Sequence, residues 1–169
     1  MSGWWGTFGF SWIGLVFMLS LEVPNILWAR RQPAGYDPSG EPRALRLIER
    51  AGQVLCTATV LLLRPPNLVA SARSAWPWAW WLIAAIVLMV IYEGFWVRYF
   101  TGDHTLSDFY RPLMGVPMPG ATLPVAAFFL LGIYIRAWPL MLAAVILGIG
   151  HIGIHRIHAS NIAANVNHK

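Results

Sequence analysis

Five apolar runs occupy most of the 169-residue chain and leave it few folds to choose from. They cover roughly 9–29, 47–63, 76–97, 119–135 and 139–157. A helix rises about 1.5 Å per residue, so about 20 predominantly apolar residues cross the hydrocarbon of a bilayer. Each run reaches or approaches that length. The expected fold is therefore an all-α integral membrane protein, a single polytopic domain over 1–169 built as a bundle of five transmembrane helices. The second run is the shortest. Its helix can start early, as an interfacial segment from Pro42 that turns Leu45 and Ile48 to lipid and Arg43, Arg46 and Arg50 to headgroups. The first run has no basic n-region and no small-residue cleavage site ahead of it, so it is expected to stay as a span and not to be a signal peptide.

Composition excludes the soluble alternatives. The chain is 57% hydrophobic and 11% charged, with ten tryptophans, more apolar than a soluble core requires. A net charge of +5 could announce a nucleic-acid binder, but the basic residues are scattered between apolar runs and form no patch. No nucleic-acid partner is expected. The single cysteine, Cys56, sits inside an apolar run and cannot form an intrachain disulfide. Eleven of the twelve basic residues are arginine, which with the Ala and Pro content suggests a bacterial source.

Those basic residues also orient the chain. Nine lie in 30–50, around 98–111 and in the C-terminal tail, whereas Arg64, Arg73 and Arg136 lie on the alternate side. The side richer in Lys and Arg is normally cytoplasmic. The N-terminus is therefore expected outside and the C-terminus in the cytoplasm, with cytoplasmic loops at 30–46 and 98–118. The expected location is the cell membrane, a bacterial inner membrane crossed several times. Trp4, Trp5, Trp12, Trp76, Trp78, Trp80, Trp81 and Trp138 fall at the predicted outer ends, and Trp28 and Trp96 at the inner boundary. Most of these read as an aromatic interfacial belt and not as a ligand cage.

Within this apolar frame the polar residues share a depth. At about 100° per residue, His151, His155 and His158 form one stripe on the last span, continued by Ala144 and Gly148, with Arg156 opposite. Measured from the arginines at the inner boundary, Glu22 lies about 12 Å inside, Glu93 and His151 about 7–8 Å, and Gln53 about 5 Å. Asn25 and Pro24 flank Glu22, Tyr92 precedes Glu93, and Glu49 opens the second span. Each has an ordinary role open to it: Glu49 as a headgroup charge, Glu93 as a structural partner for Arg98 or a histidine, His158 at the water boundary, Gln53 as interhelical glue. Glu22 is the hardest to explain so, being deepest and far from any basic residue. Ionisable groups inside a membrane are normally turned to the bundle and paired.

Three functions follow from such a cluster. In the first, a membrane-embedded enzyme uses Glu22 or Glu93 as catalytic acid or base, with His151, His155 and His158 converging on a divalent metal, zinc or iron. Asn25, Glu49, Gln53 and Tyr92 would support the site, and the substrate would be an amphiphilic lipid or isoprenoid entering from the inner leaflet. H-x-x-x-H is a weak motif on its own and lacks the Glu of the zincins. In the second, the same groups form a proton or cation relay of a transporter or channel, for which a homodimer could supply the missing outer half. In the third, a lipid- or partner-binding subunit uses the polar layer only to fix its helices. In the loop 98–118, Thr105 and Asp108 have capping-box spacing and predict a short helix at the membrane surface. Asp103, His104 and Asp108 could then overhang the polar layer as a lid, but as residues of a cytoplasmic loop they are expected to be solvated.

Overall fold

The computed structural model describes residues 4–65 and 72–167. Lys169, counted above on the arginine-rich side, lies outside them, as do the side chains of Arg73 and Trp76. Six α-helices run through the described residues: α1 (Trp12–Ala29), α2 (Arg43–Leu62), α3 (Ala72–Thr101), α4 (Leu106–Tyr110), α5 (Pro119–Tyr134) and α6 (Trp138–Asn167). Two short strands, β1 (Thr7–Phe8) and β2 (Leu63–Arg64), pair antiparallel. Among the described residues three segments are long and apolar enough to cross a membrane: Trp12–Ala29, Trp78–Thr101 and Trp138–Ile162. That is the make-up of a multi-pass helical membrane protein.

The second and fourth runs are helices of a different kind. α2 is one continuous helix from Arg43 to Leu62, and its first half carries Arg43, Arg46, Glu49 and Arg50. Leu45 does not face lipid: it packs against Gly153 of α6. α5 has 16 residues, about 24 Å of helix, with Pro119 at its first position where a missing N–H costs nothing. α3 continues to Thr101, past the expected inner boundary at 97.

The N-terminal segment ties one end of the molecule together. Beside the β1–β2 pair, Gly6 N donates to Arg136 O and Trp138 N to Trp4 O, joining this segment to the turn between α5 and α6. Trp78 Nε1 on α3 donates to Tyr134 O at 2.8 Å. The start of α1, the end of α2, the described start of α3 and the α5–α6 turn therefore meet at one end, so the long helices alternate up and down. Trp5, Trp12, Trp80 and Trp138 are exposed there, as a belt requires. Trp28 and Trp96, expected at the inner boundary, instead turn into the bundle: Trp96 is only 3% exposed.

Close helix approach rests on glycine. Gly52 of α2 lies against the backbone of Leu147, and Gly150 of α6 against the backbone of Glu49. With Leu45 against Gly153, partner numbers fall on α6 as they rise on α2, the register of an antiparallel pair. At the other end Gly14 of α1 faces the Val60 carbonyl of α2. In lipid, where burial of apolar surface drives little, such small-residue contacts let dispersion forces hold helices together. The core between them is aromatic and aliphatic: Tyr92, Phe95 and Tyr99 of α3, Phe128 and Leu131 of α5, Leu140 and Ala144 of α6.

Candidate functional site

Because Gly150 brings α6 onto the α2 backbone at Glu49, the next residue, His151, falls beside the Glu49 side chain. Glu49 Oε1 lies 2.5 Å from His151 Nδ1. About two turns toward the C-terminus of α6, His158 Nε2 lies 3.0 Å from Glu41 Oε1, in the segment that leads into α2. Both pairs are largely sheltered, with side-chain exposures of 25% and 19% for His151 and Glu49, and 13% and 10% for His158 and Glu41. His155 sits between them, its ring 4.5 Å from that of His151 and 5.8 Å from Phe109. Arg156 is exposed on the opposite side, as the helical period requires.

The loop from α1 to α2 is held against α6 by the second pair. The Tyr36 hydroxyl donates to Glu41 Oε1 at 3.4 Å, and the Tyr36 ring lies 5.2 Å from His158. Burial, with the nearby Glu41 charge, pushes the Tyr36 phenol up to about 12. Asp37 accepts from Ser39 N and from Ser39 Oγ, both at 2.8 Å, and these bonds hold its carboxyl below the usual range.

α1 and α3 contribute a third polar contact. Asn25 Nδ2 donates to Tyr92 Oη at 2.9 Å and to Leu21 O at 2.7 Å. Asn25 thus spends one amide group both on its own helix near Pro24 and on α3. Tyr92 is fully buried.

α4 closes this end. Thr105 Oγ1 accepts from Asp108 N at 3.1 Å, the capping contact expected from the spacing. Arg98 does not pair with Glu93. Its guanidinium donates to the carbonyls of Asp108, Arg111 and Pro112 at 3.2, 2.8 and 3.0 Å, which satisfies the end of α4 and fixes it to α3. What α4 lays over the site is aromatic and not charged. Phe109 stacks on Trp28 at 5.4 Å and also meets Phe95, Trp96 and Tyr99. Tyr110 lies 5.6 Å from His155 and 6.4 Å from His158. Burial, then the charges of Tyr36 and Glu41, raise the Tyr110 phenol above its usual value.

Two adjoining cavities open among these groups. One, of about 230 Å³, lies under α1 and is lined by Glu22, Asn25, Gln53 and His151 among apolar residues of α5 and α6. The other, of about 290 Å³, lies nearer the arginine-rich end and is lined by Trp28, Tyr36, Glu41, Glu49, Trp96 and His155 among others. Asn25, Trp28, Gly120 and His151 border both. His151, held by Glu49, thus stands on the wall the two share.

Most of the expected site residues meet here, with shifted roles. Glu22 reaches the first cavity from the exposed side of α1, at its rim, and Gln53 is exposed beside it. Glu93 borders neither cavity; its Oε1 is buried without a hydrogen-bond partner among the described residues. His151, His155 and His158 remain in a row, but two of them are engaged by carboxylates. Among the described residues no three His, Cys, Asp or Glu side chains are grouped to hold a metal ion. Glu41, Tyr36, Phe109 and Tyr110 escaped the reading of the sequence. One signal was present: Glu41 and Glu49 are eight residues apart and His151 and His158 seven, as two carboxylate–imidazole rungs on antiparallel segments would be. No protein-family model, curated protein or solved structure matches the chain.

Proposed function

We propose that this protein is a membrane-embedded enzyme that moves protons on an amphiphilic lipid or isoprenoid substrate. In this reading the chain crosses a bacterial inner membrane five times, and the excess of arginine at one end puts that end, with the site, on the cytoplasmic side. The observation that carries the proposal is the Glu49–His151 pair on the wall between the two cavities. An ionised carboxylate only accepts, so Nδ1 of His151 carries the proton of that bond, and in the neutral imidazole Nε2 keeps its lone pair. Nε2 is then a general base held in one tautomer and orientation. When it takes a proton, the imidazolium faces a carboxylate already in place, which stabilises it in a water-poor site. Glu22, at the rim of the apolar cavity, is positioned to receive or return that proton on the side where a chain-like substrate enters. No step requires the zinc or iron expected from the histidine spacing.

Purified protein in lipid nanodiscs, incubated with a total polar-lipid extract and read by mass spectrometry, tests this. Wild type should deplete one lipid class and release a product. His151→Ala and Glu49→Gln, melting like wild type, should lose that activity by roughly 10²–10⁴-fold, the usual worth of a positioned general base. Product formation that survives His151→Ala would overturn the assignment.

A proton relay is the second reading, and the row His151, His155, Tyr110, His158 with rings 4.5–6.4 Å apart is what favours it. Proton flux in proteoliposomes, absent from His155→Ala and present without any lipid turnover, would favour it over the enzyme.

A further inference from the structure

Two grooves follow one another along the face of α2 that is turned away from α6. The first, of about 240 Å³, is lined by Arg43, Arg46, Leu47 and Arg50. The second, of about 490 Å³, begins at Gln53 and runs over Val54, Thr57, Ala58, Leu61 and Leu62. At about 100° per residue Arg43, Leu47, Arg50, Val54 and Leu61 fall on one stripe, opposite Leu45, Gly52 and Cys56. Leu47 and Val54 are each 68% exposed, so nothing among the described residues covers that stripe. It nevertheless lies beside membrane-length helix: Gly52 and Glu49 on the other side of α2 touch Leu147 and Gly150, within the apolar stretch Trp138–Ile162 of α6.

The first groove holds charge that the protein does not use. Among the described residues the ion pairs are Glu49–His151 and Glu41–His158, and Arg43, Arg46 and Arg50 take part in no ion pair or hydrogen bond. No carboxylate lines the groove, because Glu49 is turned to His151. Like charges three and four residues apart on a helix repel, and an anion lying among them removes that cost. A guanidinium presents a planar fork of donors that matches the oxygens of a phosphate. The second groove is apolar except at Gln53 and Thr57. From Gln53 to Leu62 it follows about 14 Å of helix, close to the roughly 15 Å of hydrocarbon in one leaflet. An acidic peptide would suit the arginines, but its backbone would go unsatisfied along the apolar groove.

We propose that the outer face of α2 holds an anionic phospholipid of the leaflet at the arginine-rich end. Its phosphate lies among Arg43, Arg46 and Arg50, and an acyl chain runs down the groove over Val54, Ala58 and Leu61. Gln53 is exposed one turn below Arg50, the level at which the ester carbonyls of a phospholipid follow its phosphate, and its amide donates there. A zwitterionic headgroup brings a cation to the same arginines and loses the advantage. This lipid is bound outside the bundle and is no part of the acid–base chemistry at His151.

Native mass spectrometry of the full chain released from maltoside micelles tests it, with added lipids of matched dioleoyl chains. Phosphatidylglycerol should be retained at least tenfold more tightly than phosphatidylcholine. Each of Arg43→Gln, Arg46→Gln and Arg50→Gln should weaken phosphatidylglycerol about fivefold, the worth of one arginine at an anionic surface. Arg111→Gln removes the same charge from an exposed position outside the groove and should leave retention unchanged. Ala58→Phe fills the apolar groove and should weaken retention, and excess inorganic phosphate should not displace the lipid. Equal retention of the two lipids would overturn the inference. So would a loss in Arg111→Gln as large as in Arg46→Gln, which would reduce the effect to net charge. Displacement by inorganic phosphate would make the arginines a site for a free anion, and full retention in Ala58→Phe would take the chain out of the groove; either result sinks the proposal. The wild-type comparison needs no variant to fold. Retention is read without turnover, so it stands or falls apart from the proposed chemistry.

Discussion

Replacing Gly150 by alanine puts a methyl group where α6 crosses α2. The new Cβ would lie 2.4 Å from Glu49 N, 2.7 Å from Glu49 Cα and 2.8 Å from Glu49 Cβ. Ordinary carbon contact begins near 3.4 Å. None of the three atoms can swing away by a side-chain rotation, so the two backbones must part by about 1 Å, an overpacking that costs about 1–3 kcal/mol. Glu49 moves with its backbone. Its carboxylate holds His151 at 2.5 Å, and a displacement of that size takes the pair beyond the range of a good hydrogen bond. Losing that bond adds a further cost of about 1 kcal/mol or more. Gly94→Ala is the control: a Cβ there meets nothing within 4 Å, and removing a helical glycine should stabilise by about 0.5–1 kcal/mol. Unfolding in mixed micelles, followed by circular dichroism against the fraction of dodecyl sulfate, gives both values. Lipid turnover should fall in Gly150→Ala alone. If Gly150→Ala comes within about 0.5 kcal/mol of Gly94→Ala, the spread expected for substitutions that touch nothing, the α2–α6 contact does not position the site and the argument fails.

Two further expectations concern topology and pH. Single cysteines at Ser39 and Arg136, in a Cys56→Ala background, should be labelled by impermeant maleimide from opposite faces of oriented vesicles, Ser39 from the cytoplasmic face; labelling from one face would refute the alternating spans. Tyr36 carries a phenol pushed up to about 12, so the folded state holds its proton while the unfolded chain, near 10, gives it up. That contribution is whole below pH 10 and is lost as pH rises from about 10 through about 12, because there the unfolded state binds fewer protons than the folded one. Tyr36→Phe should therefore show a flatter fall of stability across that window, measured by the same unfolding assay; a slope equal to wild type would mean Tyr36 is not sheltered beside Glu41.

The apolar runs and their spacing were enough to establish an all-helical protein with membrane-length segments, because a period and a length are local properties of the chain. They located α1, α3 and α5 to within a few residues, the start of α6, whose end at Asn167 lies well past the expected 157, and the histidine stripe on one face of α6. The same periodicity put Arg156 opposite the histidines, and the capping spacing of Thr105 and Asp108 placed α4. Partners are not local. His151 faces Glu49 only because Gly150 and Gly52 let two backbones nearly touch, and no helical wheel reports how close a second helix comes. Glu41 precedes α2 with nothing in its neighbourhood to single it out, and only the chain reversal after α1 brings it to His158. Glu22 and Glu93 have similar expected depths along their helices but different surroundings: one borders a cavity beside His151, and the other borders neither cavity. Depth fixes one coordinate of a side chain in a bundle. Which way the helix is turned about its axis fixes the other, and that is decided by packing across the whole structure. Trp28 and Trp96 illustrate it most plainly: their place in the sequence suits an interfacial belt, and the tertiary fold turns them inward to line a cavity beside two carboxylates.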